Sequence, residues 1–232
     1  MKSQSHRNRY FTFWDLLLWG ISVFLIVASF LLFDRANLLT LVASLIGVTS
    51  LILNAKGNPL GQLLMIAFSI LYGIISYSSA YYGEMITYLG MTAPMALFAL
   101  ISWLRNPFRG RRSEVAVNRL SRRELLPLAA LSAVVTLIFY FILAHFDTAR
   151  LFWSTLSVTT SFVAVYLTFR RNPYFALAYA ANDIVLIVLW VLASAADLSL
   201  VPVVTCFLVF LVNDLYGFFC WLRMQRRQET DV

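Results

Sequence analysis

An all-α, polytopic membrane protein is the fold class that this 232-residue sequence predicts. Hydrophobic residues make up 61% of the chain and charged residues only 12%, whereas soluble domains carry about 45–50% and about 25%. The apolar residues also form runs of about 20, the length of a membrane-spanning helix, which favours helices over a barrel. This composition excludes a soluble enzyme, a disordered chain and a disulfide scaffold.

Eight stretches of the sequence are long and apolar enough to form spanning helices. They lie at about residues 15–33, 36–53, 59–81, 84–104, 124–145, 149–169, 173–195 and 198–222. The first is too long for the apolar region of a signal peptide and no A-x-A site follows it, so we expect an uncleaved helix. Pro94 lies inside the fourth stretch, where it predicts a kink that frees backbone groups.

The distribution of lysine and arginine predicts the orientation of these helices. With the N-terminus in the cytoplasm, 16 of the 18 lysine and arginine residues fall on the cytoplasmic side, and only Arg35 and Arg150 fall outside. Every short connection then satisfies the positive-inside rule. We therefore expect a multi-pass protein of the inner cell membrane with both termini in the cytoplasm.

The net charge of +7 raises the question of a nucleic-acid partner. Much of that charge lies in the loop 106–123, where only Phe108 is interleaved with the arginines. Basic loops of this kind set topology and attract the anionic headgroups of lipids. The lipid bilayer is therefore the expected partner of this loop, and no nucleic acid is expected.

A short internal repeat predicts how the helices are arranged. Residues 56–59 (KGNP) and 170–173 (RRNP) lie 114 positions apart, and residues 102–105 (SWLR) and 220–223 (CWLR) lie 118 apart. We expect two three-helix repeats joined by one linking helix, a 3+1+3 parallel repeat related by an axis along the membrane normal, plus one extra N-terminal helix. Such repeats place a substrate site at their interface near the midplane. The predicted parts of the chain are the N-terminus with the extra helix (1–33), the first repeat (34–105), the basic cytoplasmic loop (106–123), the linking helix (124–145), the second repeat (146–223) and the cytoplasmic tail (224–232).

Acid and amide side chains within the apolar stretches are the first candidates for substrate ligands. Asn182 and Asp183 lie near the middle of the seventh stretch, and Asn213 and Asp214 lie in the cytoplasmic half of the eighth. Such groups are costly in hydrocarbon unless they face a cavity or a partner, and no lysine or arginine lies at matching depth. The alternative, that they only bond one another or freed backbone groups, stays open.

Four weaker candidates accompany these pairs. Gln62 shares one face of the third stretch with serines at intervals of seven, which also suits close helix packing. Tyr179 and Trp190 lie one turn before and two turns after the central pair, where either ring could stack on a planar ligand. Glu84, at the outer end of the fourth stretch, is interpreted as a first-turn acid favoured by the helix dipole.

The sequence contains no catalytic, metal or cofactor motif. It lacks the Walker A, G-x-S-x-G and H-E-x-x-H patterns, and His6 and His145 are far apart. Cys206 and Cys220 lie about 21 Å apart on one helix, too far for a disulfide. The two buried aspartates leave an intramembrane enzyme open as an alternative, and a non-transporting scaffold is another. The asparagines beside the aspartates and the duplication favour transport.

Residues 34–223 resemble the PnuC family of bacterial nicotinamide riboside transporters. The resemblance depends on the 3+1+3 plan, the basic-Asn turns before the third and seventh helices, Tyr72-Gly73, and the run 213–217 (NDLYG) that ends at Trp221. It implies a homotrimer, a SWEET-like fold with one midplane pathway in each protomer, and uptake by facilitated diffusion. It also implies that phosphorylation in the cytoplasm traps the substrate.

One departure from the family pattern concerns the substrate. Many riboside transporters carry a Trp-x-x-Trp pair ahead of an asparagine in the seventh helix, and that asparagine corresponds to Asn182. The two tryptophan positions correspond to Phe175 and Ala178, so Phe175 and Tyr179 become the candidates for stacking. The resemblance implies nicotinamide riboside or a similar vitamin precursor as substrate, with a deoxynucleoside or thiamine as the alternative.

Overall fold

The computed structural model describes residues 10–79, 81–148 and 150–230. The N-terminal residues expected in the cytoplasm, among them Lys2, His6, Arg7 and Arg9, lie outside this part of the chain. Within it, eight helices are long and apolar enough to cross a membrane, which confirms the predicted number and the fold class.

The helices follow the predicted stretches closely. They are α1 (Phe13–Phe33), α2 (Leu38–Ala55), α3 (Pro59–Ser78), α4 (Tyr82–Thr87), α5 (Ala93–Arg105), α6 (Arg122–His145), α7 (Leu151–Phe169), α8 (Phe175–Ser194) and α9 (Val201–Thr230). A π-helical turn (Tyr88–Thr92) joins α4 and α5 into one span, and a 3₁₀ turn (Leu198–Leu200) precedes α9. The last helix runs beyond the expected end at residue 222, because its polar end packs on the loop that follows α5.

The π-helical turn is the local response to Pro94. Proline has no N–H to donate to the carbonyl four residues earlier, and its ring crowds that carbonyl. The helix widens just ahead of Pro94, and the hydroxyl of Thr92 donates to the carbonyl of Thr87, five residues earlier, at 3.3 Å. The turn directs Tyr88 and Thr92 into the interior of the bundle, where both are buried.

Helix α1 is attached to the bundle by a row of polar contacts. Its buried Asp15, Ser22 and Ser29 recur at intervals of seven and so share one face. They hydrogen-bond three residues of α9, in the order Tyr216, Asn213 and Thr205. The partners run backwards along α9, so the two helices pack antiparallel. The extra helix thus has a defined partner within the same chain.

Two tryptophans make reciprocal contacts between the predicted repeats. The indole N–H of Trp103, at the end of α5, donates to the carbonyl of Thr168 in α7 at 2.9 Å. The indole N–H of Trp221, in α9, donates to the carbonyl of Asn54 in α2 at 2.7 Å. The ring centroids of the two tryptophans lie 5.4 Å apart. Asn54 and Thr168 are themselves 114 positions apart, so these contacts are those that a two-fold pseudo-symmetry would produce.

We expect Trp103→Phe and Trp221→Phe to destabilise the fold equally, by about 1 kcal/mol each, because each removes one buried hydrogen bond, from a carbonyl that then keeps only its backbone donor. Chemical denaturation in detergent micelles measures this. Trp14→Phe is the matched control, because Trp14 is 66% exposed, and its effect should stay within about 0.5 kcal/mol. Clearly unequal losses for Trp103 and Trp221 would argue against equivalent positions.

The predicted basic loop contains a short β-hairpin of β1 (Pro107–Phe108) and β2 (Arg111–Val115). Arg109 and Gly110 both have positive φ, 49° and 75°, as a two-residue type I′ turn requires. The N–H of Val115 donates to the carbonyl of Gly57 at 3.0 Å, which fixes the hairpin to the α2–α3 turn. The loop is therefore an ordered part of the bundle end.

Candidate functional site

A small polar cavity lies inside the bundle between α2, α3, the π-helical turn, α7, α8 and α9. Its volume is about 20 Å³, enough for roughly one water molecule and far below the roughly 300–1,000 Å³ of ligand pockets. We call it the central cavity; it is lined by Leu51, Met65, Phe68, Tyr88, Thr92, Ser161, Tyr179, Asn182, Asp183, Phe207, Phe210 and Asp214. The structure thus holds the site in a closed form.

A pair of carboxyl groups forms the polar side of the central cavity. Asp183 of α8 and Asp214 of α9 are only 3% and 5% exposed, and both line the cavity. The Oδ2 atom of Asp183 has no hydrogen-bond partner among the described residues. No lysine or arginine lines this cavity. An unpaired carboxyl oxygen in such a place is available to the hydroxyl, amine or cationic group of a ligand.

Asn182 is held in place by hydroxyl groups of α7. Its Oδ1 atom accepts hydrogen bonds from Thr160 at 2.8 Å and Ser161 at 3.0 Å. Ser157 lies slightly farther, at 3.4 Å. These three residues were not among the candidates predicted from the sequence, although hydroxyl side chains at 157, 160 and 161 of an apolar helix indicate a polar face there. Because its oxygen is occupied by these donors, the side chain of Asn182 has a fixed orientation.

Glu84 extends this polar chain toward the start of α4. It lies in the first turn, as expected from the sequence, but it is completely buried. Its Oε2 atom accepts a hydrogen bond from Ser157 at 3.4 Å, and its Oε1 atom has no partner among the described residues. Burial of this acid follows from packing against α7, which the sequence of α4 does not reveal. Ser157 therefore connects Glu84 with Asn182.

Aromatic rings surround the polar groups. Tyr179 lines the central cavity, as do Tyr88 and Phe68. Trp190 lies outside the lining, where its indole N–H donates to the hydroxyl of Tyr72. The ring of Tyr72 in turn lies 4.3 Å from that of Tyr88. A row of aromatic side chains thus leads from Trp190 to the cavity.

Besides Trp190, three predicted site residues lie outside the lining of the central cavity. Gln62 donates to Asn54 at 2.9 Å, on the α2 side of α3. Phe175 packs against Trp221 at the end of the bundle, with centroids 4.9 Å apart. Successive residues of a helix are rotated by about 100° around its axis. Asn213 therefore does not share the direction of Asp214 and faces α1, where it donates to Ser22. Ligand roles for these three remain predictions from the sequence, and the closed structure does not bring them to the site.

In the part of the chain that the structure describes, apolar helices surround a buried polar cavity, an arrangement that suits a membrane transporter. Residues 37–223 match the family described as nicotinamide mononucleotide transporter, and the chain belongs to that family. This confirms the resemblance drawn from the short motifs.

Two known proteins are similar to the chain over most of its length. One is the nicotinamide riboside transporter PnuC of Neisseria mucosa, with 27% identity over 220 residues, covering 92% of this chain and 81% of the relative. The other is the crystal structure of the vitamin B3 transporter PnuC, which superposes with a TM-score of 0.81 and 22% identity over 94% of both chains. The second comparison establishes the shared fold.

Proposed function

We propose that the chain takes up nicotinamide riboside, or a closely similar vitamin precursor, by facilitated diffusion. The observation that carries the proposal is the central cavity, where Asn182, Asp183 and Asp214 face aromatic walls within a bundle of the transporter family. Carboxyl oxygens accept hydrogen bonds from ribose hydroxyls, and Tyr179 and Tyr88 offer faces to a flat ring. Trapping by phosphorylation in the cytoplasm would keep the gradient directed inward.

The closed form of the site supports alternating access as the transport mechanism. The central cavity has to open by several hundred cubic ångströms before a ring-bearing solute fits. Two three-helix repeats at 34–105 and 146–223, linked by the helix at 124–145, would open it by rocking. The reciprocal contacts of Trp103 and Trp221 support this division of the chain.

The proposed location is the inner membrane, with both termini in the cytoplasm. Three contacts place the basic segments at one end of the bundle: Tyr10 with Ser113, Val115 with Gly57, and Asn118 with Arg171. A one-sided distribution of basic residues is what the positive-inside rule needs. The homotrimer is likewise a proposal, supported by α6, which buries only Leu128, Ser132 and Leu143 within the protomer.

A deoxynucleoside or thiamine is the second candidate substrate. The observation that favours it is the carboxyl pair, which can accept from a base amine or attract a cation. Phe175 and Ala178 also stand where many riboside transporters carry tryptophans, so the stacking platform for the nicotinamide ring is weaker.

Uptake by proteoliposomes tests the proposed function. We expect saturable entry of labelled nicotinamide riboside that stops when the inside and outside concentrations are equal. Thermal unfolding gives a second readout, because a ligand at 100 times its Kd stabilises the fold by about 2.7 kcal/mol. Thymidine and thiamine, tested in parallel, should stabilise less. Stabilisation by thiamine alone would select the second candidate, and the absence of entry for all three would contradict transport of this class.

A further inference from the structure

A second, much larger cavity lies at the end of the bundle that carries the hairpin. Its volume is about 930 Å³, in the upper range of ligand pockets. Its walls come from four parts of the chain: the residues around the start of α1, the α2–α3 turn, β2 and the last turns of α9. We call it the basic cavity. The basic cavity and the central cavity have no lining residue in common.

The basic cavity has more positive than negative side chains. Lys56, Arg111, Arg223 and Arg227 line it, against one acid, Glu114. Two of these cations already have partners, since Arg227 is paired with Glu114 and Lys56 with Asp15 at 2.5 Å. Arg111 and Arg223 have no acidic partner in the part of the chain that the structure describes. Two guanidinium groups therefore face one cavity without a counter-charge.

The walls of the basic cavity are fixed by hydrogen bonds. The hydroxyl of Tyr10 donates to the carbonyl of Ser113 at 3.1 Å and accepts from Asn58 at 2.7 Å. Burial raises the pKa of Tyr10, so this phenol remains a neutral donor. Gln228 near the end of α9 donates to Glu114 of β2 at 2.9 Å. These bonds join all four parts of the chain, so the space between them is part of the fold.

We propose that the basic cavity binds a phosphate-bearing anion between Arg111 and Arg223. A guanidinium group presents a fork of N–H donors that matches phosphate oxygens and stays charged at any physiological pH. The cavity is far larger than a phosphate ion, and Trp14 and Tyr216 give it aromatic walls for the organic part of a ligand. The phosphate has two possible sources, the headgroup of an anionic phospholipid or a soluble phosphate ester.

Binding of defined probes to the purified full-length protein tests this proposal. The lipid probes are nanodiscs with phosphatidylglycerol and nanodiscs with phosphatidylcholine only. The soluble probes are AMP, adenosine and inorganic phosphate, added to protein in neutral detergent. Arg111→Gln/Arg223→Gln is the test variant, and Arg112→Gln/Arg226→Gln is the control, because these neighbours are exposed, lie outside the lining and change the net charge equally.

We expect at least one phosphate probe to bind more tightly than its neutral counterpart, with affinity that falls as salt is added. The test variant should bind that probe about tenfold more weakly, and the control within about twofold of the unmodified protein. A response to phosphatidylglycerol identifies a lipid site, and a response to AMP identifies a site for soluble phosphate esters. Equal losses in both variants, or no preference for any phosphate probe, would overturn the proposal. Neither readout uses the transported substrate, so the proposed function stands or falls separately.

Discussion

Asp214→Leu is expected to reduce substrate binding and initial uptake by about 10- to 100-fold. Leucine has the same number and branching of side-chain heavy atoms but offers no polar atom, so a substrate hydroxyl or amine would lose one of the two carboxyl acceptors of the central cavity. Leaving a buried donor without its acceptor costs about 1–3 kcal/mol, and a 10- to 100-fold loss of affinity corresponds to about 1.4–2.8 kcal/mol. Calorimetric titration of the purified protein measures binding, and uptake by proteoliposomes measures transport at low substrate concentration.

Asn213→Leu is the matched control for this variant. The same residue is introduced one position away, on the face of α9 that meets α1, where Asn213 donates to Ser22 at 2.9 Å. We expect a loss of stability of about 1–2 kcal/mol and nearly unchanged substrate affinity in the folded protein. If both leucine variants lost affinity equally, or neither did, the assignment of Asp214 to the substrate site would be wrong.

The bilayer explains why the fold could be predicted so fully. The backbone polar groups of an isolated apolar segment in hydrocarbon must hydrogen-bond within that segment, so a run of about 20 apolar residues folds as a spanning α-helix. The irregularity in the fourth span could also be predicted from the sequence, because Pro94 leaves a backbone carbonyl without its N–H donor. In the structure, a π-helical turn lies just ahead of Pro94. The hairpin was not predicted, because its two strands comprise only 2 and 5 residues. A β-strand pattern cannot be distinguished over so few positions.

The candidate site was predicted less completely, because a sequence gives the face of a helix but not its neighbour. Asp183 and Asp214 were found because an acid in an apolar run is rare and costly. The hydroxyls of Thr160 and Ser161 were missed, since such groups commonly bond the carbonyl one turn earlier in their own helix, as Thr160 also does. Gln62 was also predicted as a ligand because it is polar within an apolar helix, but its buried side chain donates to Asn54 of α2 and does not line the central cavity.

The first helix had no predicted role, and its contacts now lead to the second large effect. Asp15→Ala is expected to destabilise the fold by about 3 kcal/mol, because several bonds are lost together. The carboxylate of Asp15 is completely buried, accepts from the hydroxyl of Tyr216 at 2.7 Å and pairs with Lys56 at 2.5 Å. It also completes the capping box with Thr12 that begins α1. Thermal and chemical unfolding in detergent measure the loss.

Asp34→Ala is the control at the opposite end of α1. Asp34 is only partly buried and accepts from the backbone of the next turn at 3.2–3.3 Å, so its loss should cost no more than about 1 kcal/mol. A double-mutant cycle with Asp15→Asn and Lys56→Met isolates the ion pair, and we expect a coupling of about 1 kcal/mol or more. An Asp15→Ala protein as stable as the Asp34→Ala protein would show that α1 is held by its apolar face alone.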